Sequence, residues 1–152
     1  MVGGFRRLKQ GTIYVLRILS YFAAKESTVR NPIIKATELS KELGVSYNYM
    51  MKILGKLGAR GLMRSELGRN GGYRLTRGLG DISLYEICRV MNEDISFIPQ
   101  AKDENKYDVM WESMFTEISN HIRQVMQKTS FADMYVLRHD VIRFNGNGKA
   151  IK

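Results

Sequence analysis

An amide, two hydroxyls, a thioether and two ammonium groups lie close together at Ser46, Tyr47, Asn48, Met51, Lys52 and Lys56. None has the partner that nucleophilic or acid–base catalysis requires, so the chemistry they offer is recognition. An asparagine amide matches the hydrogen-bonding edge of adenine, and Met51 or Tyr47 can meet a thymine methyl group. Lys56 is suited to a phosphate. A second set, Arg69 and Asn70, lies within a glycine-rich turn, where a guanidinium can use the negative potential of a narrow minor groove. Arg6, Arg7 and Lys9 form a third set, read either as phosphate contacts or as plain solvated charge.

Other chemistries find little support. No nucleophile–base pattern, phosphate loop or paired carboxylates stand out, and the glycines of residues 76–80 lack the lysine spacing of a P-loop. This disfavours an enzyme. His121 and His139 are too few and too far apart for a metal site argued from spacing, and no cofactor is expected. Cys88 is the lone cysteine, which fits a reducing cytoplasm and excludes an intramolecular disulfide. It shares a helical face with Leu84, Ile87 and Met91, so it reads as a small core hydrophobe rather than a redox switch. Neither a membrane span nor a secretion signal is expected.

The elements that must position these groups follow from periodicity. Ile13, Leu16, Leu19 and Ala23 predict a first helix over about 11–24, followed by a loop to Pro32. A second helix is expected over about 37–43, ending at Gly44, with the small Ser40 allowing the next helix to pack closely. Ser46 is suited to cap a third helix reaching about residue 60. Met50, Ile53, Leu54 and Leu57 form its apolar stripe, which leaves Asn48, Met51, Lys52, Gly55, Lys56 and Ala59 on the opposite, acid-free face. Residues 62–65 and 73–76 alternate around Asn70-Gly71-Gly72 and predict a β-hairpin. A helix-turn-helix followed by a hairpin is a winged helix, whose usual ligand is duplex DNA.

Beyond the hairpin, a short helix over about 81–92, a polar linker over 93–106 and a long helix over about 107–128 are expected. The long helix carries Tyr107, Trp111, Met114, Phe115, Ile118, Ile122 and Val125 at three- and four-residue steps. Such a stripe outside a DNA-binding core suits pairing with a second copy of the chain, the alternative being a helix folded back on its own domain. The expected fold is thus mainly α with a small β-hairpin wing. A winged helix-turn-helix domain spans 1–80, the short helix, linker and dimerisation helix span 81–137, and a tail spans 138–152, frayed from about 145. Charge divides along the same line. Residues 1–80 carry fifteen Lys/Arg against four Asp/Glu, whereas residues 81–152 carry nine against eleven. A polyanion-binding amino-terminal half accounts for that asymmetry better than a general solubility charge.

The wording of several motifs resembles the Rrf-two superfamily of bacterial winged helix-turn-helix transcription regulators, the group of the IscR, NsrR and CymR types. These motifs are Gly11 with Tyr14 and Leu16-Arg17; Glu38-Leu39-Ser40 and Gly44-Val45-Ser46; Tyr49-Met50, Ile53-Leu54 and Lys56-Leu57; Gly61-Leu62; Gly71-Gly72-Tyr73-Arg74-Leu75; Ile82-Ser83-Leu84; and Phe131-Ala132-Asp133-Met134. The resemblance implies a dimeric regulator that binds a two-fold operator as a repressor and answers an unidentified small-molecule or protein effector. Cluster-binding members place three cysteines in the linker; residues 93–106 here hold none, so a cluster-free member is expected. Two rival readings are a protein-interaction module linked to a metabolic enzyme and an RNA-binding winged helix.

Overall fold

The structure, a computed structural model, describes residues 8–93, 106–139, 143–144 and 150–151. Helices α1 (Gln10–Glu26), α2 (Ala36–Leu43) and α3 (Tyr47–Ala59) precede an antiparallel hairpin of β1 (Met63–Glu66) and β2 (Gly72–Leu75). A 3-10 turn at Leu79–Asp81 leads to α4 (Leu84–Val90), and α5 (Lys106–Lys128) and α6 (Phe131–His139) follow. Met63 pairs with Leu75 and Glu66 with Gly72, so each strand lies one residue nearer the turn than the expected run.

Helix α1 packs against α2, α3 and α4, and this explains a departure from the expected stripe. The fully buried apolar residues are Val15, Ile18, Leu19 and Phe22, while Ile13, Leu16 and Ala23 are only partly buried. The apolar sector is wide, and contacts from several sides centre its burial on Val15, Ile18 and Phe22. One core cluster joins these residues to Leu39, Met50, Ile53, Leu54, Leu57, Leu62 and Leu75. It continues across position 80 through Leu79, Ile82, Ile87, Val90 and Phe131.

Phe131 enters the core because α6, which periodicity did not single out, turns back onto the 3-10 turn. Its amide donates to the Ile82 carbonyl at 2.7 Å, and the Leu84 amide donates to the Thr129 carbonyl at 2.8 Å. Both helices that start here are capped in the same way. Ser83 and Glu86 form a capping box on α4, and Ser130 and Asp133 exchange the equivalent bonds on α6. Burial alone would raise the Glu86 carboxyl, but the Ser83 amide and the Arg77 guanidinium hold it below its ordinary value. In the expected tail, Arg143–Phe144 pairs antiparallel with Ala150–Ile151, so backbone pairing replaces a frayed end at those residues.

The start of α1 has no cap of its own. Lys9 offers no side-chain bond, and the first turn contains no acid. Glu93, expected as the first residue of a solvated linker, fills that role. It is 2% exposed, accepts the Lys9 amide at 3.0 and 3.2 Å, and accepts the Thr12 hydroxyl at 2.5 Å. A carboxylate here answers both the unpaired amides and the positive end of the helix dipole. Neighbouring residues close the same corner. Met91 lies over Gly11, where a side chain would have to displace its methyl end, and the Asn92 amide oxygen accepts from Arg60 at 3.2 Å. Glu93→Ala should therefore lower unfolding stability by about 2–3 kcal/mol. Urea denaturation checks this, with Glu93→Gln expected to fall between the variant and the native chain.

Candidate nucleic-acid interface

The helix-turn-helix is fixed by local hydrogen bonds. Gly44 ends α2 in the left-handed conformation at φ 62°. The Ser40 hydroxyl donates to the Val45 carbonyl at 2.5 Å, while the Val45 amide donates to the Ser40 carbonyl at 3.0 Å. Ser46 then caps α3, its hydroxyl accepting the Tyr49 amide at 3.3 Å. On α1, Tyr21 and Lys25 clasp Glu38 of α2 at 2.7 and 3.2 Å. The Tyr21 hydroxyl bond and the Lys25 ammonium hold the Glu38 carboxyl below its ordinary value. Burial and Glu38 together push the Tyr21 hydroxyl up.

Helix α3 divides as expected. Met50, Ile53, Leu54 and Leu57 are buried, and Asn48, Lys52, Gly55 and Ala59 are exposed. Lys56 is half-buried. Tyr49 packs edge-on against Tyr14 of α1, with ring centroids 5.8 Å apart, and is a packing residue. Neither glycine of α3 is forced by internal packing. A side chain at Gly55 would meet nothing within 4 Å, and one at Gly58 would make only ordinary contact with the Met63 carbonyl at 3.8 Å. Gly55 thus leaves the middle of the outer face flat.

The wing is pinned beside this face by a third extended segment. Ile34 and Tyr73 exchange backbone hydrogen bonds at 2.8 and 2.9 Å. A Cβ at Gly72 would come within 2.6 Å of the Ile34 carbonyl oxygen, so this close approach requires glycine. Between α2, α3 and the wing lies a cleft of about 420 Å³, lined by Lys35, Thr37, Tyr47, Met51, Arg69 and Tyr73 among others. Met51 is half-buried, its sulfur 3.8 Å from the Tyr73 hydroxyl, and it bridges helix to wing. Glu66 also lines the cleft, but it is paired with Arg64 at 3.0 Å and Arg74 at 3.2 Å.

The structure thus gathers Tyr47, Met51 and Arg69 around one cleft, with Asn48 and Lys52 on the exposed face of α3 and Asn70 exposed in the wing turn. Lys9 lies elsewhere. Its ammonium donates to the Asn92 carbonyl at 3.2 Å, near the far end of α3 marked by Arg60. Arg6 and Arg7 lie outside the described residues. Sequence reading missed Lys35 and Thr37, whose signal was position at the start of α2. It also missed Arg17, which stands exposed over the Tyr14 ring at 5.2 Å, close to the first turn of α3.

The expected dimerisation stripe is split in two. Helix α5 rests on α4, with Ser119 and Met126 buried and Phe115 and Ile122 half-buried. In the adjoining sector Trp111, Met114, Ile118 and Val125 are 45–53% exposed. Cys88 is buried on α4, and burial together with the Glu93 charge pushes its thiol up to about 11. Among the described residues, no helix is long and apolar enough to cross a membrane.

A helix-turn-helix, a wing and an outer face of hydrogen-bonding and basic groups define the class: a winged-helix, DNA-binding transcription regulator rather than an enzyme. Residues 8–136 match the model of the Rrf2 family, described as "Iron-dependent Transcriptional regulator", and the chain belongs to that family. The HTH-type transcriptional regulator NsrR of Bacillus licheniformis is 28% identical over 104 residues, covering 68% of this chain and 71% of that protein. Protein aau3 of Rhizobium meliloti is 36% identical over 91 residues, covering 59% and 56%. The structure of CymR, the global cysteine regulator of B. subtilis, superposes with a TM-score of 0.69 at 21% identity, covering 88% of this chain and 98% of that one. The IscR of T. potens gives 0.62 at 19%, covering 93% and 95%; these two likenesses carry the fold.

Proposed function

We propose that this protein is a homodimeric repressor that binds a two-fold-related operator in a bacterial cytoplasm and works without an iron–sulfur cluster. The observation that carries the DNA reading is the outer face of α3. It is exposed, free of acid, and opens beside a wing whose Glu66 is already paired with arginines. Asn48 and Lys52 read base edges in the major groove, with Ser46 and Tyr47 at the helix start, while Lys56 holds a phosphate. Met51 packs the cleft and presents its edge to a thymine methyl. Arg69 and Asn70 enter the neighbouring minor groove. The basic amino-terminal half supplies sequence-independent attraction.

Specific and general contacts separate by mutation. Lys56→Ala should weaken binding to every duplex and reduce the salt slope by about one phosphate. Asn48→Ala should relax preference at one operator position and cost about 1–3 kcal/mol on the preferred site. Titrations on selected and scrambled duplexes at several salt concentrations distinguish the two. Equal loss on all sequences from Asn48→Ala would remove it from base reading.

The exposed sector of α5 supports the dimer. Trp111, Met114, Ile118 and Val125 lie beside Phe115 and Ile122, and burying such side chains contributes about 1.5–3 kcal/mol each. A two-fold interface uses each residue twice and holds two recognition helices about 34 Å apart, or a multiple of that spacing. Ile118→Asp should give monomers in ultracentrifugation and lower operator affinity by orders of magnitude, leaving weak, salt-sensitive binding. A folded Ile118→Asp dimer would exclude this face.

The family description names iron, but the residues here do not fit a family-type cluster. The lone cysteine is buried on α4 with its thiol pushed up to about 11, and the linker contributes no thiolate. Among the described residues no group of three or more His, Cys, Asp and Glu could hold a metal ion. Protein purified without oxygen should therefore be colourless, with no stoichiometric iron or acid-labile sulfide. We infer that its effector is a small molecule or a protein.

A further inference from the structure

Among the described residues, Leu67 is the most exposed large apolar side chain, at 96%. It occupies the tip of the wing, and the turn that carries it is closed. The Gly71 amide donates to the Gly68 carbonyl at 3.0 Å, and Gly68 takes φ 106°. A Cβ at Gly71 would run into the Glu66 and Gly68 carbonyl oxygens, so this backbone admits only glycine there. Below the turn, the ion pair of Glu66 on β1 with Arg74 on β2 ties the two strands together. Leu67 is thus held out in water on a braced tip rather than folded against the hairpin.

Its surroundings select the partner. Gly68, Arg69 and Asn70 follow it, all exposed, and no other large apolar side chain of the turn extends the patch. A protein-docking surface would need a wider apolar area than one leucine. A minor groove suits the set, because a guanidinium gains from its potential and an apolar tip can part stacked base pairs. We propose that Leu67 is an intercalating wedge. It enters one base step from the minor groove and kinks the duplex toward the major groove, while Arg69 lies in the groove beside it. This rests on the DNA reading above and adds a specificity that α3 does not provide. The kink costs least at pyrimidine–purine steps, so a TA or CA step is favoured beneath the wing.

The test uses the full chain and a duplex selected from random sequence, with 2-aminopurine at the step under the wing and a fluorophore pair on the ends. Native protein should raise the 2-aminopurine emission several-fold and bring the ends together, through a bend in the range of about 20–90°. Leu67→Ala should melt like the native chain, bind roughly tenfold more weakly, and produce neither signal. Leu67→Met should retain both. Replacing the TA step by AA should weaken native binding roughly tenfold and leave Leu67→Ala unaffected. The wedge is overturned if native protein binds its operator without unstacking or bending, or if Leu67→Ala bends it equally. Failure of native protein to select any duplex would instead overturn the DNA reading itself.

Discussion

Helix α3 buries Met50, Ile53, Leu54 and Leu57 to the last few per cent of their surface, and this single stripe orients everything the helix presents outward. Because residues three and four apart share a face, committing these four to the core leaves Asn48, Lys52 and Gly55 outside. The same core holds α1 and α2 behind the helix and Leu62 and Leu75 at the root of the wing. Helix and wing therefore share one support. A cavity in that stripe would disturb the relative setting of the two surfaces as well as global stability.

The wing has a second constraint, in the backbone. Ile34 and Tyr73 pair across a separation that no side chain at Gly72 could tolerate. This ties the wing to the approach of α2 and gives the cleft between them its shape. At the opposite end of α3, Arg60 reaches Asn92, whose neighbour Glu93 caps α1. The two ends of α3 are thus held by different means: a strand bridge beside its amino-terminal half, and a polar corner at its far end. That corner joins the DNA-binding core to the chain that follows α4.

Local signals made most of this legible. Ser46 and Gly44 act in the structure as their chemistry suggested, and the α3 stripe has the expected members, while Ser40, expected for its small size, also donates its hydroxyl to the Val45 carbonyl. What escaped depended on distant partners. The phase of α1 was misplaced because its burial is set by contacts from several helices at once, so Val15 and Phe22 outrank Ile13 and Ala23. Glu93 looked like linker because nothing nearby in sequence needs a carboxylate; its partners, Lys9 and Thr12, are some eighty residues away. Helix α6 was missed for a similar reason. It is short, and Phe131 gains its burial only by returning to Ile82. On the candidate interface, composition pointed to the outer face of α3 and the wing turn, whereas Lys35, Thr37 and Arg17 joined them only through the tertiary path of the chain.

The way α5 is fastened has a mechanical consequence. Its carboxy-terminal end is gripped by the backbone bonds from Leu84 to Thr129 and from Phe131 to Ile82, next to the cap of α4. The helix also rests on α4 through Ser119 and Met126, and beyond Ser119 it runs to Lys106, a length of roughly 20 Å at 1.5 Å per residue. A rigid rod held along one half acts as a lever. A tilt of roughly 10° at the grip carries the other end sideways by about 3.5 Å. Small repacking around Ile82 and Phe131 is therefore amplified along the rod, and two such rods meeting face to face would turn a sub-ångström shift in the core into a change of spacing between the bodies they join.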